Sequence, residues 1–190
     1  MFLVTLGSVG VHAQLVNPGF EGSYQPVNSS SKKITGFIAN GWTDNSAWAD
    51  VTVNYSQDTS NPHGGSSCQK VTITSIDSGS FQMVQNLPAR TGHLYTPGVW
   101  LRGVPGTRVN LWFALAGPPY TIFEDVPAYL TNTWQFVSVP AHPGFRCWRR
   151  SSMPTGVQQA LGRLGTSPQW IAQQVQVALR IGFHMEHSDR

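Results

Sequence analysis

Arg108-Val109-Asn110-Leu111-Trp112-Phe113-Ala114-Leu115-Ala116 is the stretch that decides the fold class. Val109, Leu111, Phe113 and Leu115 alternate with Asn110, Trp112 and Ala114, the period-two pattern of a strand with one face turned to a core and the other away from it. A helix would instead gather its apolar residues at intervals of three and four. Trp112, an indole on the polar face, calls for an explanation. The same alternation recurs upstream, where Val71 and Ile73 are interleaved with Lys70, Thr72 and Thr74. Runs of this kind cover residues 47–55, 68–74, 81–87, 94–102, 108–116 and 133–139. Between them stand turn clusters such as Asn61-Pro62-His63-Gly64-Gly65 and Val104-Pro105-Gly106, in which Pro fixes φ and Gly admits positive φ. Short strands at this spacing predict an antiparallel β-sandwich.

Composition agrees. In 190 residues only 11% are charged, and 19 Gly and 13 Pro supply turns throughout, which excludes a helical bundle, a coiled coil or a basic disordered arm. The length suits one domain with a tail and excludes two full catalytic domains. The formal net charge is +3, but it is unevenly placed. Residues 1–140 hold six Lys/Arg against seven acids, while residues 141–190 hold six Arg against two. The body therefore has no positive footprint for phosphates, and a nucleic-acid partner is not expected.

The ends have their own character. Residues 1–13 are apolar, free of acids and finish in Val11-His12-Ala13, so they predict a clipped signal peptide, and hence a secreted or periplasmic protein, or else a frayed N-terminal strand. That run is too short to span a bilayer, and no membrane association is expected. Cys68 and Cys147 allow at most one internal disulfide, and no Cys/His cluster is spaced for zinc. Past Pro140 the pattern changes. The basic run Arg146-Cys147-Trp148-Arg149-Arg150 precedes a stretch in which Trp170, Ile171, Val175 and Leu179 fall near helical spacing, predicting a short amphipathic helix over residues 168–181. The expected organisation is a leader over 1–13, a sandwich over 14–140, and an atypical tail over 141–190 that is irregular or short-helical.

Several segments together resemble the jelly-roll carbohydrate-binding modules grouped as families 4, 9, 16 and 22, which accompany bacterial glycoside hydrolases. The residues that carry the resemblance are Leu15-Val16-Asn17-Pro18-Gly19-Phe20-Glu21, Gly41-Trp42, Gly64-Gly65-Ser66-Ser67-Cys68-Gln69-Lys70-Val71, Gln85-Asn86-Leu87, Gly92-His93-Leu94-Tyr95 before Val99-Trp100-Leu101-Arg102, and Leu130-Thr131-Asn132-Thr133-Trp134-Gln135. The resemblance implies a jelly-roll sandwich, non-catalytic binding of a polysaccharide such as a glucan or xylan, and an appended hydrolase as partner. It further implies that Trp42 and Trp134 belong to the core, that Gln85 serves the ligand cleft or bonds a loop amide, and that Glu21 contributes to a structural calcium site. One carboxylate is too few for calcium, and the paired acids with which such modules finish are missing here. That departure, with the change of charge and periodicity, points to a shifted reading frame past residue 140 or a fusion to unrelated coding sequence as explanations of the tail.

Sugars stack their C–H faces on exposed aromatic rings while amides and guanidinium groups bond their hydroxyls. Trp100 and Arg102 share one strand face, and Asn110 and Trp112 share the outward face of the next predicted strand. If the two strands are neighbours, these four form one patch; the alternative is that both indoles meet protein in a second layer. Tyr55 is assigned to the ligand side of the sheet, Trp48 to a loop rim. Tyr120, after Pro118-Pro119, either closes over a bound chain or packs a turn.

Hydrolysis of a glycosidic bond would need two carboxyl groups flanking it. Asp44 with Asp50, or Glu124 with Asp125, could supply them, but both pairs stand in turn-like contexts that favour solvated or capping roles. His184-Met185-Glu186-His187 lacks the i, i+4 histidines of helical zinc enzymes. The expected protein is a binding module that is not an enzyme and requires no cofactor. A fragment of a glycoside hydrolase or lyase, or a structural adhesion module, are the alternatives.

Overall fold

The computed structural model describes residues 15–89, 94–140, 142–143 and 175–183. The expected leader, Cys147 and most of the tail lie outside the described residues. The chain is all-β, a two-layer sandwich. One sheet contains β1 (Tyr24–Pro26), β2 (Ile34–Ala39), β4 (Asp50–Asp58) and β5 (Cys68–Ser78), in that order. The other has the order β10 (Ile122–Tyr129), β9 (Arg108–Leu115), β13 (Val175–Phe183), β6 (Phe81–Ala89), β3 (Thr43–Asp44). Two short pairs complete it, β8 (Gly98–Leu101) with β11 (Gln135–Ser138), and β7 (Leu94–Tyr95) with β12 (His142–Pro143).

The core lies between the layers. Val51, Val53 and Tyr55 of β4 face Phe81, Met83 and Leu87 of β6 and Leu111 and Phe113 of β9 in one buried cluster. Burying a side chain of this size contributes roughly 1.5–3 kcal/mol. The predicted inward set of β9 is thus the core set. The β2–β4 pair is parallel and very close at Gly36, where φ is +97° and a Cβ would fall 2.0 Å from the Tyr55 carbonyl oxygen. Only glycine suits that position.

Two expectations fail here. Residues 175–183 are a strand, not part of a helix, and the strand is central: β13 pairs antiparallel with both β6 and β9. Val175 and Leu179 are four apart, which fits either period. The full run Val175, Val177, Leu179, Ile181, Phe183 is strictly alternating and rich in β-branched residues, and that favours a strand. Ile181 stands in register between Met83 and Leu111, and Phe183 between Phe81 and Val109. The sandwich therefore does not stop at residue 140. The tail fills its second sheet, which leaves a shifted reading frame unnecessary as an explanation of residues 175–183.

Candidate functional site

The residues that carry the family resemblance are largely structural. Asn17, at φ +49°, accepts the Glu21 backbone N–H on its side chain at 2.7 Å and the Trp42 indole N–H on its carbonyl at 3.3 Å. Trp42 is buried, as expected, with the Phe20 ring 5.0 Å away. Glu21 reaches across to the loop before β5. Its carboxylate accepts the Ser66 hydroxyl at 2.6 Å, the Ser66 backbone N–H at 3.0 Å and the Ser67 backbone N–H at 3.2 Å. Those bonds hold its pKa below the usual carboxylate value, the Ser66 hydroxyl contributing most. Two backbone N–H groups aimed at the carboxylate make a poor setting for a cation, and no group of three or more metal-ligating side chains occurs among the described residues. The residues present at Glu21 do not fit calcium.

The expected four-residue patch is divided. β8 pairs with β11 and β9 with β10 and β13, so the strands of Trp100 and Trp112 are not neighbours. The connection between them is no hairpin turn: Gly103 and Gly106 donate their backbone N–H groups to Thr131 and Leu130, tying it to the β10–β11 connection instead. Trp112 keeps its outward position on the five-stranded sheet, in a row of register with Val84, Arg180 and Asp125. Its indole nitrogen is buried without a hydrogen-bond partner among the described residues. Asn110 is only 5% exposed, with its amide donated to Asp125, and is not available to a ligand as placed.

Three other candidates also take structural places. Tyr55 is in the core, 1% exposed, donating its hydroxyl to Asp44 at 2.9 Å; its pKa is raised, first by burial and then by that carboxylate. Its period-two position on β4 points inward because Val51 and Val53 share the same phase. Gln85 bonds the backbone of Val16 and Gly41, the loop-amide role. Trp48 is 62% exposed at a loop, its indole donating to the Asn45 carbonyl at 2.8 Å and covering Gly79. Tyr120 is exposed in the β9–β10 turn, at the opposite end of that hairpin from the cleft described next.

Trp100 and Arg102 do share a site, a cleft of about 690 Å³ between β5 on one side and β8 with Leu130 and Trp134 on the other. In the β8–β11 pair Val99 and Val137 face each other and are buried, while Trp100 and Phe136 face each other on the exposed side, Trp100 at 43%. Arg102 follows β8 and lays its guanidinium 5.2 Å from the ring centre of Trp134, a cation–π contact of about 0.5–2 kcal/mol. Trp134, expected in the core, is instead half-buried and lines this cleft, its indole nitrogen unpartnered among the described residues. His63 completes the group. Its imidazole is stacked on Trp100 with centroids 3.7 Å apart and stands edge-on to Trp134 at 5.9 Å. Sequence reasoning marked the His63 turn but not its use, because the ring it meets is 37 positions away in the chain.

Among the described residues, the acids considered above take separate partners. Asp44 accepts the Tyr55 hydroxyl, Asp50 pairs with Lys33, and Asp125 is held by Asn110. Glu124 and Asp125 are adjacent in β10 and so project to opposite sides.

No family model and no curated protein matches the chain. Among solved structures it is similar in fold to a CBM4, with a TM-score of 0.47, 14% identity, and coverage of 90% of this chain and 95% of that one. It also resembles the enzymatically active domain of tailspike protein 4 from bacteriophage CBA120, with a TM-score of 0.40 and 13% identity. That likeness covers 76% of this chain but only 18% of the tailspike chain.

Proposed function

We propose that this protein binds a polysaccharide, a glucan, xylan or similar chain, without turning it over, and that it does so in the cleft of Trp100, Trp134 and Arg102. The observation that carries the reading is the pairing of two indoles at one cleft with a guanidinium beside them, Trp100 at the surface and Arg102 over Trp134. Indole faces offer the flat apolar area on which sugar rings stack, and a guanidinium offers hydroxyl-bonding donors. Arg108 and Glu21 add a cation and an anion to the cleft lining. The dispersal of Asp44, Asp50 and Asp125 among separate partners supports binding without hydrolysis. On this reading the protein works outside the cytoplasm and keeps a hydrolase close to its substrate by raising its effective concentration there.

Affinity electrophoresis through gels carrying different polysaccharides tests it. Retardation in at least one gel is expected, lost on changing Trp100 or Trp134 to Ala. Unaltered mobility in every gel sinks the proposal, and release of reducing ends by the isolated chain would replace it with hydrolysis.

A further inference from the structure

The loop between β4 and β5 is fastened at both ends. At its start Asp58 accepts the Ser60 backbone N–H at 2.8 Å and the Ser60 hydroxyl at 2.6 Å. At its end Ser66 and Ser67 are held by Glu21. The clamp demands a close approach, since at Gly65, φ +71°, a Cβ would fall 2.0 Å from Glu21 Oε1. Between the fastenings His63 lies flat on Trp100, 3.7 Å away with 15° between the ring planes. Nothing fits between rings at that separation. The imidazole thus occupies a face of the very indole that a sugar would use, and the loop is built to keep it there.

The middle of the loop has room to move. A side chain at Gly64 would meet nothing within 4 Å, and His63 is exposed, so the ring can swing out while both anchors hold. We propose that His63 is a built-in competitor for the stacking face of Trp100, and that a ligand takes this face by displacing it. The identity of the ligand rests on the polysaccharide reading above; the covering of Trp100 does not. An aromatic pair contributes little beyond its area, so displacement is an affordable step that lowers apparent affinity by about twofold to tenfold.

Two measurements on the whole chain test this. Acrylamide quenching of tryptophan fluorescence reads the covering without any sugar: His63→Ala should raise quenching, and in a Trp100→Phe background the same change should raise it much less, since only the edge-on contact with Trp134 is then removed. Equal quenching of wild type and His63→Ala overturns the proposal. Affinity electrophoresis in a retarding polysaccharide reads the competition, with His63→Ala expected to bind about twofold to tenfold more tightly. Equal or weaker binding overturns it, because His63 would then be neutral or a ligand contact. If no polysaccharide retards either protein, the functional reading fails and the quenching result alone decides whether His63 covers Trp100.

Discussion

The side-chain amide of Gln85 is paired with the backbone of Val16 in both directions, accepting its N–H at 2.7 Å and donating to its carbonyl at 2.9 Å. A third bond runs from the same amide to the Gly41 carbonyl at 2.7 Å. One buried side chain thus substitutes for a strand partner and fastens the N-terminal segment to β6. Gln85→Ala leaves backbone groups unpaired and should cost about 1–3 kcal/mol, read as a lower urea midpoint. Polysaccharide retardation should persist; its loss in a folded Gln85→Ala protein would return this residue to the ligand site.

Tyr55 makes the corresponding test inside the core. Tyr55→Phe keeps the ring against Phe81, 5.7 Å away, and removes only the hydroxyl bonded to Asp44. A loss of about 1–2 kcal/mol in unfolding free energy is expected, with binding intact. A Tyr55→Phe protein that folds normally but no longer binds would contradict its placement.

Ile181→Pro removes a backbone donor from β13, which is paired on both sides. Proline is not tolerated in the middle of a sheet because it takes a hydrogen bond out of the ladder, so the variant should unfold or lose most of its cooperativity in thermal melts. A chain ending at residue 140 should behave the same way, since its second sheet would lack the strand between β6 and β9. Native-like melting of either would show that β13 is dispensable.

The Glu21 clamp responds to acid. Its folded pKa lies below the ordinary 4.5 because the Ser66 and Ser67 donors favour the carboxylate, so its contribution is present above that value and is lost as pH falls through the lower, folded one. Amide exchange at Ser66 and Ser67 should therefore accelerate relative to the core on acidification below about pH 4.5. Glu21→Gln should exchange quickly at every pH. A wild-type profile as flat as that of the variant would remove the clamp.

Removing the cleft indoles should not unfold the protein. Trp100 is 43% exposed, so Trp100→Ala should change stability by no more than about 1 kcal/mol while weakening polysaccharide binding at least about tenfold. Loss of binding accompanied by unfolding would make Trp100 a structural residue.

The strands were legible wherever local alternation is unambiguous. Arg108–Leu115 and Phe81–Ala89 lie close to where period two puts them, because one face of each must meet the core. β13 was misread because Trp170, Ile171, Val175 and Leu179 also satisfy helical spacing, and only its neighbours β6 and β9 settle which period counts. Tyr55 went to the core because alternation divides a strand into two faces without saying which faces the core; Trp134 stands just before β11, outside any strand, where its expected core place came from the family resemblance alone.

What the amino-acid order determined by itself was the class of fold, its turns and the supply of outward-facing indoles, since these depend on side-chain periodicity and on the backbone limits of Gly and Pro. Tertiary structure alone decided which aromatics meet. Trp100 went with His63, Trp134 and Phe136 and not with Trp112, because the connection after β8 is bonded to the β10–β11 turn, and strand pairing between segments distant in the chain is set by the packing of two whole sheets.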